Sequence, residues 1–397
     1  MAPTVRQLAR TFFRIGATAY GGPAIVAQIR EVIVLRKRWL TEEEFQESLA
    51  FCQLMPGPIA VQTAAHIGWR MHRGFGTFVA LVAYASPAFL LMLGLSAAYF
   101  HWEAMPLVAT AFRGLGAAVV AIVVESILSM ARHALRDWRG VVIAAGAAAG
   151  FFAGANVLVV LLAAALAGIA LSLVLPATAA PQETATATTA PPGPARSNRR
   201  SAAIAAGIAV AYLGAIAASG FLSPQLPALG LTMTRINLLA FGGGYTAVAL
   251  MFQEVVHSAS HHWLTAKEFI DGLALGQITP GPVILTATFI GYRVAGWIGA
   301  VVATVCVFLP SSLLLVVLAP HFARVRHLRS VQFAVRGLLA AFIAMLLHVL
   351  AEVARSAILL PRDLLLAAIA ITVLRLRVNV IWVVVGSVVV SLVLARI

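Results

Sequence analysis

Two short runs, Pro56-Gly57-Pro58 and Pro280-Gly281-Pro282, each stand in the middle of an apolar stretch. Proline lacks a backbone donor and its ring clashes with the preceding turn, so two prolines around a glycine break a helix rather than bend it. A helix that restarts at Ile59, or at Val283, leaves its first N–H groups unpaired at the break. Those groups carry the positive end of the helix dipole and suit an anion. Broken backbone at membrane depth is tolerated only when buried in protein or lining a cavity. The alternative is a pair of kinks that serve packing alone. No metal or cofactor is expected at either break.

Other residues could join this chemistry. Gln53 and Gln277 precede the two runs by three positions. Gly21-Gly22-Pro23 and Gly242-Gly243-Gly244 interrupt two further apolar segments, and Gly22 and Gly243 enter the candidate site as second breaks or as points of close helix approach. Gln28, Glu31, Gln253 and Glu254 read as interfacial polar ends of the same segments. Arg113 and Arg336 lie near the starts of apolar helices. An intramembrane charge is expensive, and a guanidinium fork suits a tetrahedral oxyanion, so both are candidate substrate ligands. The competing reading is a cation that snorkels to the interface. Glu125 and His348 lie deeper and are candidate proton carriers, or else polar groups that lock helices. Thr41 with Glu44 and Thr265 with Glu268 have capping-box spacing and should open the Pro-Gly-Pro segments. His257, His261 and His262 have no carboxylate or cysteine to complete a metal site and read as a solvated loop.

The elements that position these residues are membrane helices. Of 397 residues, 61% are apolar and 11% charged, and mean hydropathy is +0.95. That is too little polar surface to cover a soluble ball of this size. The net charge of +14 would point to nucleic acid in a soluble protein, but the basic residues sit in short clusters between apolar runs, as cytoplasmic loops do, and nucleic acid is excluded. Cys52 and Cys306 are isolated in apolar runs and imply no disulfide. No cleavable signal is read at the N-terminus. Segments are expected at about 12–30, 45–70, 75–100, 106–131, 140–155 and 157–175, then 202–222, 229–255, 267–292, 296–318, 331–354, 362–376 and 378–395. The fold class is an all-α polytopic membrane protein of about 10–13 segments. Arg70 with Arg73, the Arg132–Arg139 cluster and Arg196–Arg200 occupy alternate loops, which places the N-terminus in the cytoplasm; Arg36-Lys37-Arg38 falls on the wrong side of that scheme.

The chain also repeats itself. Trp39-Leu40-Thr41 recurs as Trp263-Leu264-Thr265, and the Pro-Gly-Pro runs share the same offset of 224 (263 − 39, 280 − 56). Arg113-Gly114-Leu115 recurs as Arg336-Gly337-Leu338 at 223, and the glycine runs correspond at 221. Glu125 then pairs with His348 in the repeat, also at 223. Basic loops flank the Arg113 and Arg336 segments on opposite ends, so the two repeats should be inverted, with substrate near the midplane. The expected division is 1–175 for the first repeat, 176–200 for a disordered Ala/Thr/Pro linker, 201–228 for an extra connecting helix and 229–397 for the second repeat.

The runs GGPAIVAQIR at 21–30, QLMPGPIAVQTAAHIGWRMHRGFG at 53–76, FGGGYTAVALMFQE at 241–254 and GQITPGPVILTATFIGYRVAGWIG at 276–299 resemble the chromate ion transporter family, in its long-chain two-domain form. The resemblance covers nearly the whole chain except the linker and the connecting helix. It implies export of chromate from the cytoplasm across the inner membrane of a bacterial cell, driven by the membrane potential or a proton gradient, with chromate resistance as the result. Sulfate, isosteric with chromate, is the expected competitor. The alternatives are a sulfate or other oxyanion carrier, or a membrane scaffold without transport. No P-loop, GxSxG or HExxH pattern and no converging catalytic pair is present, so an enzyme is not expected. Expected partners are the oxyanion and membrane lipid, with a homodimer left open.

Overall fold

In a computed structural model of the chain, residues 3–20, 22–103, 105–174, 199–257, 261–321, 329–376 and 378–394 are described. They form helices and no strand. The first half holds α1 (Val5–Thr18), α2 (Gly22–Arg30, extended by a π-helical turn Glu31–Arg36), α3 (Glu42–Leu54), α4 (Ile59–Trp102), α5 (Pro106–Ala134), α6 (Trp138–Phe152) and α7 (Val157–Val174). The linker expected at 176–200 lies outside the described residues, save Arg199 and Arg200, which open α8 (Arg199–Ala218). The second half holds α9 (Leu226–Leu239), α10 (Gly244–Val256), α11 (Ala266–Ile278), α12 (Thr286–Leu318), α13 (Arg329–Ala357), α14 (Pro361–Arg375) and α15 (Val380–Leu394).

The interrupted segments fold back instead of continuing across. Both capping boxes are present: the Thr41 hydroxyl accepts from Glu44 N–H at 3.2 Å while Glu44 accepts from Thr41 N–H at 2.9 Å, and Thr265 with Glu268 does the same. They start α3 and α11 at a membrane face. After the Pro-Gly-Pro run, α4 leaves helical geometry at His72 and Arg73, as α12 does at Ala295 and Gly296. Arg70, just before the first of these turns, pairs with Glu44 at 3.1 Å and Glu47 at 3.0 Å, back at the start of α3. In the second half Arg293 pairs with Glu268 at 3.0 Å. The two limbs on either side of each Pro-Gly-Pro run therefore end on the same face. Each limb is about 20 Å long, short of a ~30 Å hydrocarbon core. They are re-entrant hairpins with Pro-Gly-Pro at the tip.

The glycine breaks make a second hairpin in each half. Arg235 on α9 pairs with Glu254 on α10, although 19 helical positions would separate them by about 28 Å in a straight helix. In the first half Gln28 Nε2 donates to Thr18 Oγ1 at 2.9 Å across the α1–α2 break. Arg30 then binds Glu42 at 2.8 Å, joining the exit of α2 to the entry of α3 and holding the Glu42 carboxyl below its ordinary range. His72 Nε2 lies 2.7 Å from the Pro3 carbonyl, so α1 enters from this same face. The expected crossings at 12–30, 45–70, 229–255 and 267–292 are thus fold-backs. This also removes the exception at Arg36-Lys37-Arg38, which lies on the face of Arg30 and Arg70 and no longer one crossing away.

The rest of α4, 74–102, is long enough to cross, and its far end meets the second half. Tyr99 donates to Asp271 at 2.8 Å, and Phe100 stacks on Tyr292 with centroids 5.9 Å apart. The second-half hairpins therefore open on the opposite face, and the repeats are inverted. Among the described residues, four apolar helices have crossing length, in α4, α5, α12 and α13. The peripheral pairs are exchanged. Helices α6 and α7 pack on α13, while α14 and α15 pack on α5, where Ser391 donates to the Thr110 carbonyl at 2.9 Å.

Candidate functional site

The hairpin tips are bonded to one another across the two halves. Gly57 N–H donates to the Ala240 carbonyl at 2.7 Å, and Gly281 N–H donates to the Ala19 carbonyl at 2.7 Å. Ala19 and Ala240 sit at the glycine breaks, so each Pro-Gly-Pro tip is seated on the other half's broken helix. Both glycines have positive φ, 96° and 109°, a region costly for any residue with a Cβ. Residues 56–58 and 280–282 are buried. Amide groups this deep need partners within the protein, and the reciprocal bonds supply them for Gly57 and Gly281.

Around the first tip the surroundings are polar. Gln62 Nε2 donates to the Pro56 carbonyl at 3.0 Å and to Ser311 Oγ at 2.6 Å. Ser311 follows Pro310 inside α12, and its N–H donates to Asn237 Oδ1 at 2.8 Å. Gln62 Oε1 and Asn237 Nδ2 have no partner although both residues are fully buried. The second tip is apolar by contrast. A Cβ on Gly281 would lie 2.7 Å from the Ala88 Cβ, and the next atom is the Gly16 carbonyl oxygen at 3.7 Å.

The second tip instead faces the start of α10. An ideal Cβ on Gly244 would sit 3.9 Å from Val283. Gly243 precedes that helix with φ 135° and offers no side-chain cap. Tyr245 donates to Gln277 Oε1 at 3.4 Å, and Gln277 Nε2 is buried without a partner.

Among the residues expected from sequence, the structure thus gathers Pro56, Gly57, Pro58, Pro280, Gly281, Pro282, Gln277 and Gly243. Gly22 opens α2, and Gly21 is outside the described residues. Gln53 is exposed on α3. Arg113 and Arg336 are exposed two turns into α5 and α13, with Arg336 over the Phe333 ring at 5.5 Å. The glycines beside them, Gly114 and Gly337, pack on the peripheral pairs and not on the tips. Glu125 and His348 occupy equivalent places on α5 and α13. One oxygen of Glu125 is buried without a partner, while His348 lies 3.5 Å from Glu352, which also pairs with His257. His261 stacks on Trp263. A surface hollow of ≈ 560 Å³ lined by Phe100, His101, Trp102 and Tyr292 lies at the rim near the end of α4, away from the tips.

Gln62, Asn237, Ser311 and Tyr245 escaped the sequence reading. Each is a polar group within an apolar run near a break, and that placement was the available signal.

Residues 6–169 and 227–392 match the family model described as Chromate transporter, so the match runs through both halves and skips the linker. The chain belongs to the chromate transporter family. The chromate transport protein of Cupriavidus metallidurans is 31% identical over 387 residues, covering 94% of this chain and 88% of the relative. The chromate transport protein of Pseudomonas aeruginosa is 34% identical over 77% of this chain and 70% of its own length. An uncharacterized transporter of Methanocaldococcus jannaschii is 30% identical over 87% and 84%. No solved structure matches. The family and its apolar helices make this a multi-pass membrane protein with two homologous halves.

Proposed function

We propose that the chain exports chromate from the cytoplasm across the inner membrane, giving chromate resistance, as a secondary carrier driven by the membrane potential or a proton gradient. The observation that carries this reading is the reciprocal bonding of Gly57 to Ala240 and Gly281 to Ala19. It gathers helix starts from both halves at mid-depth, where their dipoles favour an anion. The first-half hairpins open on one face and the second-half hairpins on the other. A small rocking of one half against the other would expose the tips alternately. Arg30, Arg36, Lys37, Arg38 and Arg70 gather on the N-terminal face, which the positive-inside rule makes cytoplasmic. The units that rock would be 1–175 and 229–397.

The test is chromate uptake into inverted membrane vesicles, with sulfate as competitor and with potential or pH gradient collapsed separately. Uptake that requires a gradient, and falls at least tenfold in Pro56→Ala and Pro280→Ala with normal membrane insertion, is the expected result. Full activity in both variants would reject the tips as the site. Uptake seen only in right-side-out vesicles would reject the direction.

A further inference from the structure

The two halves do not offer an anion the same partners. In the second half, α10 starts behind Gly243, whose φ of 135° with ψ of −177° is a region used almost only by glycine. No side chain caps this end, so the first-turn N–H groups of Gly244, Tyr245 and Thr246 have no helical acceptor. The Gln277 amide meets the side chain that Tyr245 extends from this turn. Its Oε1 takes the Tyr245 hydroxyl, and its Nε2 is left unpartnered in a residue only 7% exposed. The buried side-chain atom left without a partner here, Gln277 Nε2, is thus a donor, as are the uncapped first-turn N–H groups. Residues 241–245 are only half-buried, so the corner is reachable.

The matching place in the first half has lost these features. Pro23, in the first turn of α2, has no N–H to give. The repeat partner of Tyr245 is Ala24 (245 − 221), which has no hydroxyl. Around Gly57 the unmet buried side-chain groups are one donor, Asn237 Nδ2, and one acceptor, Gln62 Oε1. A bare oxyanion has acceptors only, and a buried unpaired acceptor beside it would repel it; a water satisfies both groups.

We infer that the chain holds one oxyanion at a time, in the second half, bound by the first turn of α10 and Gln277 Nε2, with the Tyr245 hydroxyl orienting the Gln277 amide. The first-half tip is a clamp that fixes the hairpin to α9 and α12. This inference rests on the carrier reading above and narrows its site to one side of the pseudo-symmetry.

Binding of chromate, and in a parallel arm sulfate, is measured by calorimetry on the purified full-length protein, together with the melting temperature of the ligand-free state. Vesicle kinetics supply KM and kcat. Gln277→Leu removes a donor to a charged ligand and should weaken chromate binding roughly 10- to 100-fold, with ligand-free melting within a few degrees of the parent. Tyr245→Phe should raise KM several-fold and leave kcat unchanged. If Gln277→Leu fails to fold, Tyr245→Phe alone decides. Chromate and sulfate affinities within twofold of the parent in the folded variants would overturn the site while leaving the carrier reading standing. A parent protein that binds neither anion would overturn both.

Discussion

The two Pro-Gly-Pro tips share a backbone and differ in nearly every neighbour. Gly57 and Gly281 have similar φ and make bonds of equal length to the opposite half. Yet Gly57 faces Gln62, Ser311 and Asn237, whereas Gly281 faces Ala88 and Gly16. Asn237 and Gly16 are repeat partners (237 − 16 = 221), as are Ser311 and Ala88 (311 − 88 = 223). In the second half, the asparagine satisfies an N–H of the proline-containing helix α12. In the first half, α1 instead presses so close to α4 that a Cβ at Gly16 would lie 2.0 Å from the Tyr84 carbonyl oxygen. Duplication preserved what the tip must do with its backbone and left side chains free to divide the remaining work.

Exchanging the partners should have the largest effect. Gly16→Asn drives a side chain into main-chain atoms that cannot turn away, and should cost more than about 3 kcal/mol. Little folded protein should reach the membrane. Asn237→Gly leaves the Ser311 N–H without its acceptor, a loss of about 1–3 kcal/mol, and should still fold. Equal melting temperatures for the two variants would show that the partners are not distinguished as described.

A smaller contrast is expected at the tips themselves. Gly57→Ala and Gly281→Ala each place a Cβ at positive φ, at a cost of about 1–2 kcal/mol. At Gly57 the nearest atom is the movable end of Gln62, at 2.8 Å; at Gly281 it is the Ala88 methyl, fixed to a helix, at 2.7 Å. Gly281→Ala should therefore lower the melting temperature more, and the reverse order would refute the packing argument. The smallest effect belongs to the mouths of the hairpins. Arg70 and Arg293 are partly exposed, so replacement of either by Ala should change stability by about 0–1 kcal/mol. A loss above about 2 kcal/mol at Arg293 but not Arg70 would mean the second mouth is far less solvated than its partner.

Much of this arrangement was legible in the sequence. The capping boxes, the breaks, the near-constant offsets and the reversed charge of the loops gave helical class, duplication and inversion. The fold-back did not show, because an apolar segment with a break has the same hydropathy whether its second limb continues or returns. The deciding signal was charge, with Glu44 and Glu47 complementary to Arg70 across the break, and Arg36-Lys37-Arg38 awkward until the hairpin is drawn. The neutral polar groups at the tips were harder still. Gln62 and Asn237 carry no motif, and their meaning depends on Ser311, a residue 249 positions from Gln62 that only the fold brings near. Arg113 and Arg336, which drew attention as intramembrane charges, stand exposed instead, a placement that fits snorkelling cations.

The bond from Gly57 to Ala240 has a consequence for biosynthesis. Its acceptor is made 183 residues after its donor (240 − 57), which at about 5–20 residues per second is a delay of roughly 10–40 seconds. During that interval the early tip has no partner and cannot settle in hydrocarbon. The nascent first half must wait at the bilayer surface or beside the insertion machinery until the ribosome has delivered α9. A chain truncated before Ala240 should therefore be prey to membrane proteases, however well its crossing helices are inserted.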